Sequence, residues 1–218
     1  NTLIGGVYGI FNDYYGWNTY VYNNTIINAS NTGIFIGDYC SNCYVTNNTV
    51  YNCPIGIHVG NNGGTLDNNR VFNASTMIDL LSGSFSVSNT IFNGSNIGLY
   101  LSYIYSSSIT NCSFYDCTEG LRMRSVQSTI VTNCTFWNNS YAVNVTSSSR
   151  TSQIKYNDFM ENTYGILMKF LSNANDIYNN TYNLNEYAIS CQNCYYQRVY
   201  NNTINNNSYG IYLFTSTS

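Results

Sequence analysis

A few side chains capable of acid–base chemistry fall at the same position of successive repeats in this sequence. His58, the single histidine, is followed at this position by Asp79 and, two repeats later, by Arg122. Glycoside hydrolysis needs two carboxylates about 5–10 Å apart. Asp79 has no acidic neighbour at this position in the adjacent repeats. The pattern therefore favours a surface ion pair over a catalytic site. We expect a protein that is not an enzyme and that needs no metal or cofactor.

The two Cys-x-x-Cys motifs are the next residues with characteristic chemistry. Cys40 and Cys43 form the first motif, and Cys191 and Cys194 form the second. Four ligands would have to converge to bind zinc, but the repeats place the two motifs roughly 30 Å apart. The sequence therefore predicts one local disulfide within each motif.

The other four cysteines fall at two recurring positions. Cys112 and Cys134 are equivalent residues of adjacent repeats, which lie about 4.8 Å apart in a stacked β-structure, so we expect a third disulfide between them. Cys53 and Cys117 share a position with Ala29 and other small residues. We expect these two to be buried free thiols that behave as small apolar side chains.

All these residues are positioned by a repeat of 20 to 24 residues. Each repeat has an Asn-rich turn, one apolar residue, a second polar turn and a segment resembling Gly-Ile-x-Leu, as in residues 201–213. Apolar residues alternate with period two, which indicates strands rather than helices. Three short strands per period of about 22 residues predict an all-β parallel β-helix of about ten coils. We expect a single domain over residues 1–218, with an incomplete first coil at 1–22 and nine repeats at 23–218.

The first asparagine of each Asn-rich turn has the same alternation parity as the apolar residue two positions earlier. Strand alternation therefore predicts that Asn47, Asn133 and Asn201 point inward and form a hydrogen-bonded ladder between coils. The next residue, such as Asn48, is expected to adopt the left-handed αL conformation.

Twelve Asn-x-Ser/Thr motifs are candidate glycosylation sites. Six of them fall at the position predicted to point inward, where a glycan has no room. We therefore expect glycans at the other six, which are Asn28, Asn73, Asn93, Asn138, Asn144 and Asn206. Together with the disulfides, these motifs predict an extracellular protein at the cell surface.

An aromatic residue follows the inward apolar position in five consecutive repeats. These residues are Tyr51, Phe72, Phe92, Tyr115 and Trp137. Alternation places them outward in a stripe about 20 Å long, which would be a contact surface for a sugar polymer or a neighbouring subunit. The alternative, that the turn tucks these rings inward, stays open.

The repeat resembles the right-handed β-helix repeats of the pectin-lyase-like superfamily and, within it, the carbohydrate-binding and NosD-type periplasmic copper-maturation proteins. The resemblance implies that a catalytic site would lie at the outward position of the Gly-Ile segment, where His58 and Asp79 stand. However, the clustered calcium-binding Asp residues and Arg base of the lyases are missing, as are the Gly-His-Gly and paired-Asp signatures of the hydrolases. Copper needs imidazole or soft ligands, whereas Met123 and Met168 are predicted to lie in the core.

Composition excludes other classes of partner. Charged residues make up 8% of the chain, the net charge is −3, and seven Lys plus Arg residues cannot form the dense basic face that nucleic acid requires. No apolar run approaches the roughly 18 residues of a membrane span.

The two ends of the repeat region carry no evident capping segment. Open solenoid ends expose unpaired strand edges, which pair head-to-tail into filaments or contact other copies laterally. The sequence thus predicts an extracellular structural glycoprotein, a subunit of a cell-surface fibre or layer. The alternative is a carbohydrate-binding adhesin or spike, and the third reading is a polysaccharide lyase- or hydrolase-like enzyme.

Overall fold

The computed structural model describes residues 1–13, 17–38, 42–60, 63–170 and 172–214 of the chain. Its first strands are β1 (Thr2–Ile4), β2 (Tyr8–Asn12), β3 (Tyr20–Tyr22), β4 (Thr25–Ile27), β5 (Thr32–Ile36), β6 (Cys43–Thr46), β7 (Thr49–Tyr51), β8 (Ile55–Val59), β9 (Gly64–Asp67) and β10 (Arg70–Phe72). They are followed by β11 (Thr76–Gly83), β12 (Phe85–Ser88), β13 (Ile91–Asn93), β14 (Ile97–Ile104), β15 (Ser108–Thr110), β16 (Ser113–Tyr115), β17 (Glu119–Arg124), β18 (Ile130–Thr132), β19 (Thr135–Trp137) and β20 (Tyr141–Thr146). The last are β21 (Gln153–Lys155), β22 (Asp158–Met160), β23 (Tyr164–Lys169), β24 (Asp176–Tyr178), β25 (Thr181–Asn183), β26 (Tyr187–Gln192), β27 (Arg198–Tyr200), β28 (Thr203–Asn205) and β29 (Tyr209–Phe214).

These strands form three parallel sheets that run along one solenoid. The first sheet takes every third strand from β1 to β28, the second takes those from β2 to β29, and the third takes those from β3 to β27. Each strand pairs with the equivalent strand one coil away, as where Val50 aligns with Ile26 and Val71. The parallel β-helix with three short strands per coil is therefore confirmed. The described residues form no helix that is long and apolar enough to cross a membrane.

The core is a set of inward columns in which one side chain per coil stacks on the next. The first sheet contributes a row of rings, Phe92, Phe114, Phe136, Phe159 and Tyr182, each 2% exposed or less. Successive ring centroids lie 4.5 to 4.9 Å apart, with interplanar angles of 5° or less. The coils approach closely beside this core, because a Cβ atom added at Gly33 would lie 2.7 Å from the carbonyl oxygen of Gly56.

The orientation predicted for the turn asparagines is wrong by one residue. Asn47, Asn133 and Asn201 have φ of 54°, 54° and 53°, and all three are exposed. The following residue is the one that turns inward, and Asn48 is 1% exposed. An αL residue rotates the chain at the corner and so inserts one extra outward side chain, which shifts the alternation beyond it.

The inward residues of this corner form the predicted ladder, one position later than expected. The amide of Asn157 donates to the carbonyl oxygen of Val131 and to Asn180 Oδ1, both at 3.0 Å. Its own Oδ1 accepts the backbone N–H of Cys134 at 2.9 Å. A second ladder at the next corner joins Asn139, Asn162, Asn185 and Asn207. The ladders satisfy backbone groups that the bends leave unpaired in the interior.

The cysteines follow the predictions in part. Cys191 and Cys194 are bonded as expected. Cys40 lies outside the described residues, so its predicted bridge to Cys43 cannot be placed. Cys53 and Cys117 are buried free thiols, as predicted, and burial raises the pKa of each thiol.

The disulfide predicted between Cys112 and Cys134 is absent, and both residues are buried thiols. They occupy the ladder position that asparagine takes in other coils. Each thiol donates to the carbonyl oxygen two residues earlier, Cys112 to Thr110 at 3.4 Å and Cys134 to Thr132 at 3.3 Å. The thiols thus donate to the same kind of backbone carbonyl as the ladder amides, as Asn48 does to Thr46, and they do not form a disulfide.

Candidate functional site

The outer face of the first sheet carries a largely apolar surface hollow. Two outward columns meet there, one with Thr135, Asp158 and Thr181 in register and the other with Tyr115, Trp137, Met160 and Asn183 in register. The short strands β16, β19, β22 and β25 hold these side chains at the spacing of adjacent coils, about 4.8 Å.

The aromatic stripe predicted from the sequence is confirmed at four of its five positions. Tyr51, Phe72, Tyr115 and Trp137 lie in one outward column, but Phe92 is 0% exposed and belongs to the core row. Asn93 takes the outward position instead. The turn of this coil is centred on Asn89, whose φ is 50°, and not on Ser88, so the alternation is shifted by one residue.

Asn93 divides the stripe into two aromatic pairs with different geometry. Tyr51 and Phe72 stack face to face, with centroids 5.0 Å apart and an interplanar angle of 14°. Tyr115 and Trp137 meet edge to face, with centroids 6.2 Å apart and an angle of 72°. The second pair does not close up into a continuous stack, and the surface hollow lies beside it.

The Trp137 hollow, as we term it, has a volume of about 370 Å³. Its lining consists of Tyr115, Thr135, Trp137, Asp158, Phe159, Met160, Thr181 and Asn183. Trp137 and Met160 are 39% and 41% exposed, whereas Phe159 forms the floor from within the core. The result is an apolar bed edged by hydroxyl, amide and carboxylate groups.

A hydrogen bond fixes the tilt of the Trp137 ring. Its indole Nε1 donates to Glu161 Oε2 at 2.9 Å, and Glu161 stands at the αL corner of the next coil with φ of 56°. This bond orients the indole and satisfies its polar edge, so that the ring is held in place before a ligand arrives.

Met160, Asp158 and Asn183 are site residues that the sequence reasoning missed. The aromatic pattern from which the stripe is predicted ends at Trp137. The signal was present, since the outward position continues in register as Met160 and Asn183 in the next two repeats.

The second sheet carries the acid–base residues on its outer face. His58 and Asp79 are register neighbours, and His58 Nδ1 lies 2.9 Å from Asp79 Oδ2. Phe35 stacks on the imidazole with ring centroids 4.9 Å apart. The predicted contact between the two side chains is thus formed as a hydrogen bond, although these side chains are 12% and 15% exposed and so lie partly buried.

Two coils further along, Arg122 and Glu119 form a bidentate ion pair. The hydrogen bonds that Arg122 donates to the Glu119 carboxylate raise the pKa of the guanidinium, which stays charged. Asn144 donates to the same carboxylate, at 3.0 Å from Oε2, and Tyr100 lies under the guanidinium, 5.7 Å from ring centroid to Cζ. Glu119 is committed to these partners, which leaves it poorly suited to proton transfer.

The predicted glycosylation residues lie at several kinds of position. Asn28, Asn73, Asn138 and Asn206 are exposed αL corner residues, and Asn93 is exposed at a strand end. Asn144 is half-buried through its bond to Glu119. Glycans at these six sites stay a prediction. The reason for excluding the asparagines of the other corner is wrong, because Asn23, Asn47, Asn111, Asn133 and Asn201 are exposed as well.

Copper, which the resemblance implies, does not fit the donor atoms of the described residues. These residues contain no group of three or more His, Cys, Asp and Glu side chains that could hold a metal. His58 is paired with Asp79, and Met77, Met123 and Met168 are 0% exposed in the core. We therefore derive no copper chemistry for them.

Comparisons with known proteins agree with this architecture. A family model described as periplasmic copper-binding protein (NosD) matches residues 77–218, and one described as right handed beta helix region matches residues 1–89. No curated protein matches the sequence. The A-module of Azotobacter vinelandii mannuronan C-5 epimerase AlgE4 has a similar structure, with a TM-score of 0.67 and 15% identity over 97% of this chain and 75% of that chain. That likeness shows the fold alone. The NosD model matches more than half of the sequence, and the chain therefore belongs to the NosD family of right-handed parallel β-helix proteins.

Proposed function

We propose that this protein binds carbohydrate through the Trp137 hollow. The single observation that carries the proposal is an indole ring fixed by Glu161 beside an apolar bed edged with hydroxyl and amide groups. A sugar ring has one apolar face and a polar rim, so such a bed matches both. The indole would contact the face of the sugar, while Thr135, Thr181 and Asn183 would exchange hydrogen bonds with its hydroxyl groups.

The proposal makes the protein a binding module rather than an enzyme. In the second sheet, His58 contacts Asp79 and Arg122 is bound to Glu119, so these four side chains are engaged with one another. The hollow itself contributes one carboxylate, Asp158, whereas glycoside hydrolysis uses two.

We also infer that the protein works outside the cytoplasm. The family to which the chain belongs is described as periplasmic. The bond between Cys191 and Cys194 and the exposed Asn-x-Ser/Thr motifs support the same inference. We further propose that the protein lies at the cell surface and that its exposed Asn-x-Ser/Thr motifs carry glycans.

Removal of the indole is the direct test. We expect Trp137→Ala to lower the affinity for a recognised oligosaccharide about 30-fold, since truncation of a central tryptophan costs roughly 2 kcal/mol. Titration calorimetry against a panel of soluble oligosaccharides measures this change. Quenching of tryptophan fluorescence on binding provides a second readout.

Trp17 offers a matched control, because it is the other tryptophan of the chain and is 80% exposed. It does not line the hollow, so Trp17→Ala should bind as the parent does. Equal binding by Trp137→Ala and the parent, with both variants folded by circular dichroism, would refute the proposed site.

A role as a subunit of a cell-surface fibre is the second proposal. Ile211 and Leu213 align with the buried core residues Ile189 and Cys191, yet they are 50% and 70% exposed. A second copy that stacks on this surface would continue all three sheets. Electron microscopy should then show filaments with an axial repeat near the length of the coil stack. Monomers at high concentration would overturn this proposal.

A further inference from the structure

We propose that the Trp137 hollow recognises a polysaccharide that carries protonated amino sugars. This inference rests on the proposed carbohydrate-binding function and adds a charge requirement to it. The juxtaposition that carries it is an oriented indole next to an exposed carboxylate that has no partner among the described residues, on the face of one sheet.

Asp158 provides the carboxylate. It lies in the outward column between Thr135 and Thr181, one coil beyond Trp137, and it is exposed. Within the part of the chain that the structure describes, its side chain makes no hydrogen bond or ion pair, whereas Glu119 and Asp176 are bound by arginines. The sheet therefore presents an uncompensated negative charge at the edge of the hollow.

The surroundings of the hollow are acidic as well. Glu161 holds the indole, and Asp116 stands at the equivalent corner two coils earlier, where it accepts a hydrogen bond from Asn138 at 2.7 Å. Lys155 is turned to the third sheet, where its ammonium donates to Gln153 and lies over the Tyr178 ring. The three carboxylates create a negative potential that attracts an amine and repels a uronate.

A protonated amino sugar satisfies both parts of the site at once. Its ammonium group would pair with Asp158, and a cation near an indole face is attracted by the quadrupole of the ring. Its ring would rest on the apolar bed of Trp137 and Met160. A neutral sugar would use the bed alone, and a uronate would oppose the charge.

The test compares three hexamers with the same protein. The probes are a glucosamine hexamer, its N-acetylated counterpart, which lacks the charge, and a mannuronate hexamer. We expect the glucosamine hexamer to bind most tightly to the parent. Asp158→Asn should weaken that binding about fivefold, the upper range for an exposed ion pair, and should leave the N-acetylated hexamer unchanged.

Glu186→Gln is the matched control. It removes the same charge at an exposed residue near the second sheet, next to Tyr187, which lies outside the hollow. This variant should bind the glucosamine hexamer as the parent does. The fivefold loss confined to Asp158→Asn, reduced at high salt, would support the proposal.

Other outcomes separate the two levels of inference. If the N-acetylated or mannuronate hexamer binds more tightly, and Trp137→Ala abolishes that binding, the amino-sugar assignment is wrong while carbohydrate binding stands. If a hexalysine peptide binds as tightly with the same dependence on Trp137, the ligand is a basic peptide and both assignments fall. If no hexamer binds, the amino-sugar assignment is wrong, and the proposed function fails as well if no member of the oligosaccharide panel binds.

Discussion

Phe136→Ala is expected to destabilise the protein by about 4 kcal/mol, the largest effect of any single substitution that we consider. Phe136 is 0% exposed, and its ring stacks between Phe114 and Phe159 with centroids 4.6 and 4.9 Å away. Truncation leaves a cavity in the middle of a continuous row, and the coils on either side are held at a fixed spacing by their backbone pairing. Urea denaturation followed by far-ultraviolet circular dichroism measures the loss.

The adjacent residue offers the control for this prediction. Trp137 points the opposite way and is 39% exposed, so Trp137→Ala should cost about 1 kcal/mol. The two neighbours therefore separate stability from binding, with Phe136 needed for the fold and Trp137 for the ligand. A loss below about 1.5 kcal/mol for Phe136→Ala would show that the aromatic row collapses around the gap, contrary to our view of a rigid stack.

Asn157→Ala should destabilise the protein by about 3 kcal/mol, although it removes a polar side chain. The side chain is 1% exposed and serves the N–H of Cys134, the carbonyl of Val131 and the amide oxygen of Asn180. Its removal leaves the backbone N–H of Cys134 without a partner inside the core. Chemical denaturation gives the magnitude, and faster hydrogen exchange at the Cys134 amide locates the effect.

Asn205→Ala is the matched control for the ladder. Asn205 is an exposed strand residue of the first sheet, and its loss should change the free energy of unfolding by no more than about 0.5 kcal/mol. Similar values for the two variants would mean that water replaces the ladder amide at the corner, and the ladder would then have no special role in stability.

The fold could be predicted from the sequence because one physical rule governs every coil. Alternation within a strand identifies the inward residues, such as Ile57 and Ile78, which are both 0% exposed, and their register follows from the repeat length. The rule fails at the corners. There an αL residue such as Asn47 adds an outward position. Counting with period two therefore assigns the inward orientation to Asn47, whereas Asn48 is the residue that points inward.

The candidate site was predicted less completely than the fold. Trp137 and Tyr115 were recognised because outward aromatic residues stand out in a repeat. The bond from Trp137 to Glu161 could not be foreseen, since it depends on a side-chain direction at an αL corner. Phe92 was misplaced because its coil reaches the corner one residue later than the others. A disulfide between Cys112 and Cys134 was predicted from the spacing of adjacent coils alone. The sequence does not show that each thiol donates a hydrogen bond to a backbone carbonyl.

Because every strand pairs solely with its equivalents one coil before and after, the described solenoid is modular along its axis. The Trp137 hollow draws its lining from the coils that supply β16, β19, β22 and β25. Coils on either side of this group set the distance between the hollow and the ends of the solenoid, and they do not change the geometry of the hollow. Reach and recognition are therefore separate properties of this chain: whole repeats can be gained or lost to alter the first while the second is preserved.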